Sequence, residues 1–287
     1  MRRLLFLFAF AFLLERTASA QAAAVTLTPS LVVAGSPELI RVSAPANATL
    51  QGEWLGHKIE FFRSGRTWVA LAGVDVEARP GPSILQITEK LAGGEARDLR
   101  AKIVIHAAHY RTGRLTVAPR FVQPTPAELA EIEAEIALKK RAFAESAPQP
   151  LWRGNFRAPV KAEPTDSFGT RRTFNGKLAS IHKGMDFRAR MGTPVHASNS
   201  GVVILAHKLY FEGNCVVIDH GLGLYTIAMH LSRIDVHESE HVAKGQLLGL
   251  SGATGRVTGP HLHWAVRWED AYLDPAKLLR MNLRTVR

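Results

Sequence analysis

The chain has 287 residues, 46% hydrophobic and 21% charged, a globular balance that excludes wholesale disorder and leaves length for two domains. Its net charge is +11, and a single cysteine, Cys215, excludes an internal disulfide framework.

Arg2 and Arg3 precede an uncharged apolar run, Leu4 to Leu14, and the small residues Ala18-Ser19-Ala20 follow. This is the pattern of a secretory signal peptide over residues 1–20. Eleven apolar residues reach roughly 16 Å as a helix, about half a bilayer core, which is too short for an anchor. No later segment approaches spanning length, and no cysteine near the cleavage point offers a lipid attachment site. An exported protein beginning near Gln21 is expected, in the periplasm or envelope or secreted. Without residues 1–20 the net charge is +9. In an exported protein that surplus points to a polyanionic envelope partner and away from nucleic acid.

Residues 21–110 read as one β domain. Strand-like runs occur at Val25–Val33, Leu39–Ser43, Thr49–Leu55, Lys58–Phe62, Thr67–Ala72, Ile84–Glu89 and Leu99–His106, separated by glycine and proline turns. Seven short strands at this spacing predict an immunoglobulin-like sandwich, a candidate docking site for an envelope protein. His57, His106 and His109 have no acidic or cysteine partners at ligand spacing and read as structural or solvent-facing.

Residues 111–150 form a connector. Thr125-Pro126-Ala127-Glu128 supplies an N-cap, a proline at the first helical position and a capping-box glutamate. Leu129, Ile132, Ile136 and Phe143 then recur at helical spacing, which predicts an amphipathic helix to about Ser146 whose apolar stripe packs on the following domain. A mobile lid over that domain is the alternative.

From residue 151 to 287 the chain is glycine-punctuated and β-rich. Runs at Gly201–Ala206, Asn214–His220, Leu224–His230 and Gln246–Leu250 lead to "TGPHLHWAVRW", residues 258–268, and Pro275–Leu279 looks helical. A mainly antiparallel β domain follows from this pattern. Cys215, inside the apolar run Cys-Val-Val-Ile, reads as a small buried hydrophobe.

Because side chains alternate along a strand, His261, His263, Ala265 and Arg267 share one face, and Leu262, Trp264, Val266 and Trp268 form the core face. Upstream, "SIHKGMDF" holds His182 and Asp186 four residues apart. Imidazole and carboxylate both ligate zinc, and a catalytic zinc keeps three protein ligands. His182, Asp186 and one of the C-terminal pair would complete such a set, and His230, ending "LYTIAMH", could reach the same cleft.

The stretches "IHKGMDF", "MHLSRI" and "GATGRVTGPHLHW" resemble, in order and separation, the lysostaphin/LytM-type zinc metalloendopeptidases that cleave peptidoglycan peptides. The resemblance covers about residues 153–280, and a looser one extends to the N-terminal β domain and helix. It implies a mainly β fold with a catalytic domain of that type, one Zn²⁺ per chain, and His182, Asp186 and His263 as its ligands. It also implies that His230 and His261 flank the metal and act on the attacking water, either one as the base. Ala228 departs from the pattern, since many members carry tyrosine two residues before the equivalent of His230. Absence of that hydroxyl would bear on rate and substrate preference.

Arg171 and Arg172, after "SFG", could meet a substrate carboxylate, and His220 reads as a turn-stabilising residue. Two other readings compete with an enzyme freely open to substrate. One is a catalytically inactive wall-binding or amidase-activating module on the same fold. The other is a peptidase whose groove is occluded by the helix or the β domain.

Overall fold

The computed structural model describes residues 25–284 and 286, so the expected signal peptide, residues 1–20, lies outside the described residues. Eight strands come first: β1 (Val25–Thr28), β2 (Pro37–Val42), β3 (Thr49–Trp54), β4 (His57–Glu60), β5 (Phe62–Ser64), β6 (Thr67–Gly73), β7 (Gly81–Lys90) and β8 (Ala96–Ile105). They make two antiparallel four-stranded sheets, ordered β1-β2-β6-β5 and β4-β3-β7-β8. β1 stops before Pro29, which has no N–H to donate to a ladder. The run from Lys58 to Phe62, expected as one strand, breaks at Phe61, and β5 crosses to the other sheet. Ile40, Val42 and Val69 of one sheet and Leu50, Trp54 and Leu85 of the other lie in one buried cluster.

That cluster continues into the C-terminal part through Trp264, Trp268 and Leu273. Polar contacts frame the joint. The Tyr272 amide donates to Asp75 Oδ2 at 2.8 Å, the Asp274 amide to Gly35 O at 2.7 Å, and the Tyr110 hydroxyl to Ala34 O at 2.7 Å. His57, expected to lack an acidic partner, reaches Asp270 at 3.0 Å and packs edge-on to Trp268.

The connector contributes β9 (Thr112–Leu115) and α1 (Pro126–Ala142). After them come β10 (Pro164–Asp166), β11 (Arg171–Phe174), β12 (Leu178–Ile181), β13 (Met185–Phe187), β14 (Pro194–His196) and β15 (Gly201–Leu209). The remainder is β16 (Gly213–Asp219), β17 (Leu224–Ile234), β18 (His241–Val242), β19 (Leu247–Ser251), β20 (Leu262–Trp268), β21 (Ala271–Leu273) and α2 (Pro275–Arg280). A ten-stranded sheet follows the order β10-β13-β20-β17-β16-β15-β18, with β14, β19 and β21 attached as side branches. β9, read only as basic connector, instead joins the sheet β12-β11-β9 by pairing parallel to β11.

β20 explains the layers. Leu262, Trp264, Val266 and Trp268 are all buried on the core face. On the other face Ala265 is buried too, under a second cluster that includes Tyr225 and Ile227 and is covered by Leu138, Ala142 and Phe143. Cys215 belongs to this cluster and is buried. The helix therefore roofs one end of the sheet and leaves the histidine end open.

Its packing face is not the expected apolar stripe. α1 forms with the expected capping box, Thr125 and Glu128 bonding reciprocally. Yet Leu129 is 48% and Ile136 56% exposed, and Glu135 is buried. The face turned inward is Glu135, Leu138, Lys139, Ala142 and Phe143, because the Tyr210 amide donates to Glu135 and Lys139 pairs with Glu212 at 2.6 Å. Two charged residues grip the β15–β16 turn, and that anchorage sets the helix rotation against its hydrophobic periodicity. Among the described residues no helix is long and apolar enough to cross a membrane.

Three stability measurements check this architecture. Leu273→Ala, emptying a fully buried site at the joint, is expected to cost about 2–5 kcal/mol in denaturant unfolding, whereas Ile136→Lys stays within about 0.5 kcal/mol. The third concerns His220, which is fully buried, donates from Nδ1 to Ser200 O and accepts at Nε2 from Thr226. Burial lowers its pKa to about 4, so the neutral form is favoured in the fold. Its contribution is complete above the unfolded pKa near 6.5 and is lost as pH falls toward 4, about 3 kcal/mol in all. Between pH 7 and 4, His220→Gln should flatten the stability profile by that amount relative to wild type.

Candidate metal centre and groove

Three neighbouring strands assemble the site. β13 runs antiparallel to β20 with Asp186 opposite His263, and β20 runs antiparallel to β17 with His263 opposite Met229. His182 follows β12 and reaches the same point from the turn into β13. Gly184 lies between the two, and its backbone passes so close to His263 that a Cβ there would sit 2.5 Å from the imidazole Nε2.

The result is a compact donor set. His182 Nε2 is 3.0 Å from Asp186 Oδ1 and 3.0 Å from His263 Nδ1, and His263 Nδ1 is 2.8 Å from Asp186 Oδ1. One ligand atom from each residue thus falls within 4.8 Å of the others, and all three residues are buried. Two nitrogens and one carboxylate oxygen around a single point suit a tetrahedral divalent metal with its fourth position free. The tautomers agree. His182 Nδ1 donates to Ser167 O at 3.0 Å, which leaves its Nε2 lone pair turned into the set.

Charge is arranged for the same purpose. Burial alone would raise the Asp186 pKa, but the imidazoles of His182 and His263 at hydrogen-bond distance hold it well below the usual carboxylate range. Burial pushes His263 down to about 4, keeping it neutral and able to ligate. Asp186 Oδ2 takes Arg172 Nη2 at 2.8 Å, and Arg172 also pairs with Asp166. Asp166 is itself held by the Ser167 amide at 2.8 Å and the Thr170 hydroxyl at 3.0 Å.

His230 and His261 stand beside the set, their ring centroids 5.0 Å apart. His261 Nδ1 donates to Gly259 O at 2.8 Å and its Nε2 lies 3.7 Å from Asp186 Oδ1. His230 Nδ1 donates to Thr254 O at 2.9 Å. Burial first, then the neighbouring His263 and His261, lower its pKa to about 3. The ring owes its direction to the backbone: His230 has φ +64°, a left-handed conformation at an irregularity where β17 loses register with β16.

These residues line a groove of about 480 Å³. One wall comes from the connector, through Leu115 and Val117, and another from Phe211 and Glu212 of the turn that α1 grips. None of its lining residues comes from α1.

All five residues singled out in the sequence, His182, Asp186, His230, His261 and His263, thus meet in one groove. Ala228 does not line it. The side chain is buried in the main core opposite Trp264, so a tyrosine hydroxyl on this backbone would point away from the donor set. Arg172 also differs from expectation, serving the half-buried Asp166 and the buried Asp186. Asp166, Ser167 and Thr170 escaped sequence reasoning. The only signal for them is the polar spacing of "DSFGTRR", which does not say what the polar groups face.

Residues 180–275 match peptidase family M23. Over 88 residues the chain is 49% identical to the peptidoglycan DD-endopeptidase ShyA of Vibrio cholerae, a match covering 31% of this chain and 20% of that protein. It is 39% identical over 98 residues to the DD-carboxypeptidase/endopeptidase Mpg of Neisseria meningitidis, covering 34% of this chain and 23% of that one. The matches therefore span about a fifth of these relatives' lengths. A crystal structure of a Pseudomonas aeruginosa protein assigned to peptidase M23 is 29% identical, with a TM-score of 0.69, over 86% of this chain and 94% of that chain. That likeness takes in both parts of the fold.

Arg172→Ala is expected to weaken zinc binding by roughly 10- to 100-fold in chelator competition, since it strips the second carboxylate oxygen of its cation while leaving the three donors in place.

Proposed function

Since residues 180–275 match peptidase family M23, we propose that the chain is an exported zinc metalloendopeptidase that hydrolyses peptide bonds in peptidoglycan stems or crosslinks. The observation that carries this reading is the convergence of His182 Nε2, Asp186 Oδ1 and His263 Nδ1 within 4.8 Å, with two further imidazoles on the open side. Relatives named as peptidoglycan endopeptidases support the substrate class. In this reading residues 21–110 are an immunoglobulin-like domain that docks an envelope protein, 111–150 the connector and 151–287 the peptidase domain.

A bound zinc ion supplies a Lewis acid that polarises a carbonyl and lowers the pKa of water. The protein's own groups do the rest. His182, Asp186 and His263 would hold the ion, with Ser167 O and Arg172 fixing the first two. His261 is the proton acceptor. Its ring is partly open to solvent, so a proton taken at Nε2 has an exit, and Gly259 O keeps Nδ1 protonated. His230, buried and with its basicity suppressed, stays neutral and orients water and substrate. The connector and the β15–β16 turn supply the walls of the groove in which these groups meet substrate.

Two variants separate holding metal from moving protons. His263→Ala should lose both zinc, by metal analysis, and release of crosslinked muropeptides from sacculi. His261→Ala should keep zinc while kcat falls about 10²- to 10⁴-fold. Zinc retention with full activity in His263→Ala would end the proposal.

A further inference from the structure

The glycine-rich loop before β20 carries a cation that the metal centre does not use. Arg256 lines the groove, and its guanidinium carbon lies 4.6 Å from the Phe174 ring centroid and 4.7 Å from that of Phe211. Both rings belong to the groove wall, Phe174 from β11 and Phe211 from the β15–β16 turn.

The other cations of the groove are already matched. Arg172 holds Asp166 and Asp186, and Lys183 holds Glu77 at 3.1 Å. Glu212, the acidic neighbour of Arg256, pairs through Oε1 with Lys139 at 2.6 Å, and its buried Oε2 makes no hydrogen bond to the guanidinium. Among the described residues, no carboxylate closes on Arg256.

Its position is built in. Gly255 has φ +75°, and a Cβ there would strike the Gly213 amide at 2.4 Å, so the loop presses directly on the turn. The Arg256 amide donates to Phe211 O at 2.8 Å. Two residues earlier, Thr254 O orients His230, and the Thr254 hydroxyl donates to Leu231 O at 2.8 Å. Hydrogen bonds thus tie loop, His230 and cation together. An arginine sandwiched between two rings has lost rotamer freedom before any ligand arrives, while its fork of donors stays unfilled. Such a group is preorganised for a carboxylate.

We propose that Arg256 binds a free carboxylate of the peptide substrate and sets specificity for anionic over amidated peptides. The assignment rests on reading the groove as a peptidase site. Arg256 touches substrate away from the reacting atoms, so its contribution falls on binding. A single charge-assisted contact is worth on the order of tenfold or more in affinity.

The test uses a crosslinked muropeptide dimer and the same dimer with its carboxyls converted to carboxamides one at a time. Zinc-loaded wild-type protein should lose roughly tenfold or more in kcat/KM on amidation at one position, mainly through KM. Arg256→Met, which keeps the apolar stem against both rings, should show that loss on the native dimer and no further loss on amidation there. Arg256→Lys should recover part of it. Equal discrimination in Arg256→Met and wild type would overturn the assignment, as would a uniform loss on every dimer. Calorimetry of the intact dimers on metal-free protein provides a second readout. If wild type cleaves neither dimer, the peptidase reading fails, but a carboxylate preference in binding that vanishes in Arg256→Met still supports the site. Equal binding by both proteins overturns it.

Discussion

Asp186 and His263 face each other across β13 and β20, and the rest of the site depends on that cross-strand pairing. Side chains in a strand alternate with a period of two, so a one-residue slip of β20 would turn Trp264 toward the groove and His263 into the core. The core face of β20 prevents the slip. Leu262, Trp264, Val266 and Trp268 are all buried, and exposing two indoles would cost several kcal/mol. Burial of apolar surface on one side of the strand thereby fixes the geometry of the candidate donor set on the other.

Around that register the protein spends its remaining polar groups on bracing. Arg172 bonds two carboxylates at once, and Ser167 O sets the His182 tautomer. On the far side, α1 grips the β15–β16 turn through Glu135 and Lys139, and the turn presents Phe211 to the groove. The connector strand β9 extends the β12-β11 sheet and brings Leu115 to the opposite wall. The segment that joins the two parts is therefore structural material of the groove. With His57 and Asp75 tying the N-terminal sheets to β21 and its neighbours, the whole arrangement rests on one continuous apolar cluster.

The five site residues could be picked out in the sequence because their chemistry and alternation are local. Imidazoles two apart in a strand must share a face, whatever lies beyond them. Most long strands were legible for the same reason, since Leu85 and Ile87 point inward at period two wherever β7 ends up. The three-residue strands β5, β10 and β13 were not, because their pairing is decided by neighbours far away in the chain. α1 shows the limit most clearly. Its capping box was readable and its apolar stripe was present, yet Leu129 and Ile136 face solvent. A helix turns toward whatever anchors it, and here its own Glu135 and Lys139 are held by the Tyr210 amide and by Glu212 of a turn about 75 residues away.

By itself, then, the sequence determined which residue types were available, which shared a strand face, and which known family the chain resembles. Tertiary structure alone decided that Arg172 serves Asp166 and Asp186, that Ala228 lies in the core, and that Arg256 faces the groove between two rings with its donors unfilled. The physical reason is the range of the interaction. Alternation and capping act within a few residues, whereas ion pairs, ring stacking and close backbone approach depend on which distant strands the core has brought side by side.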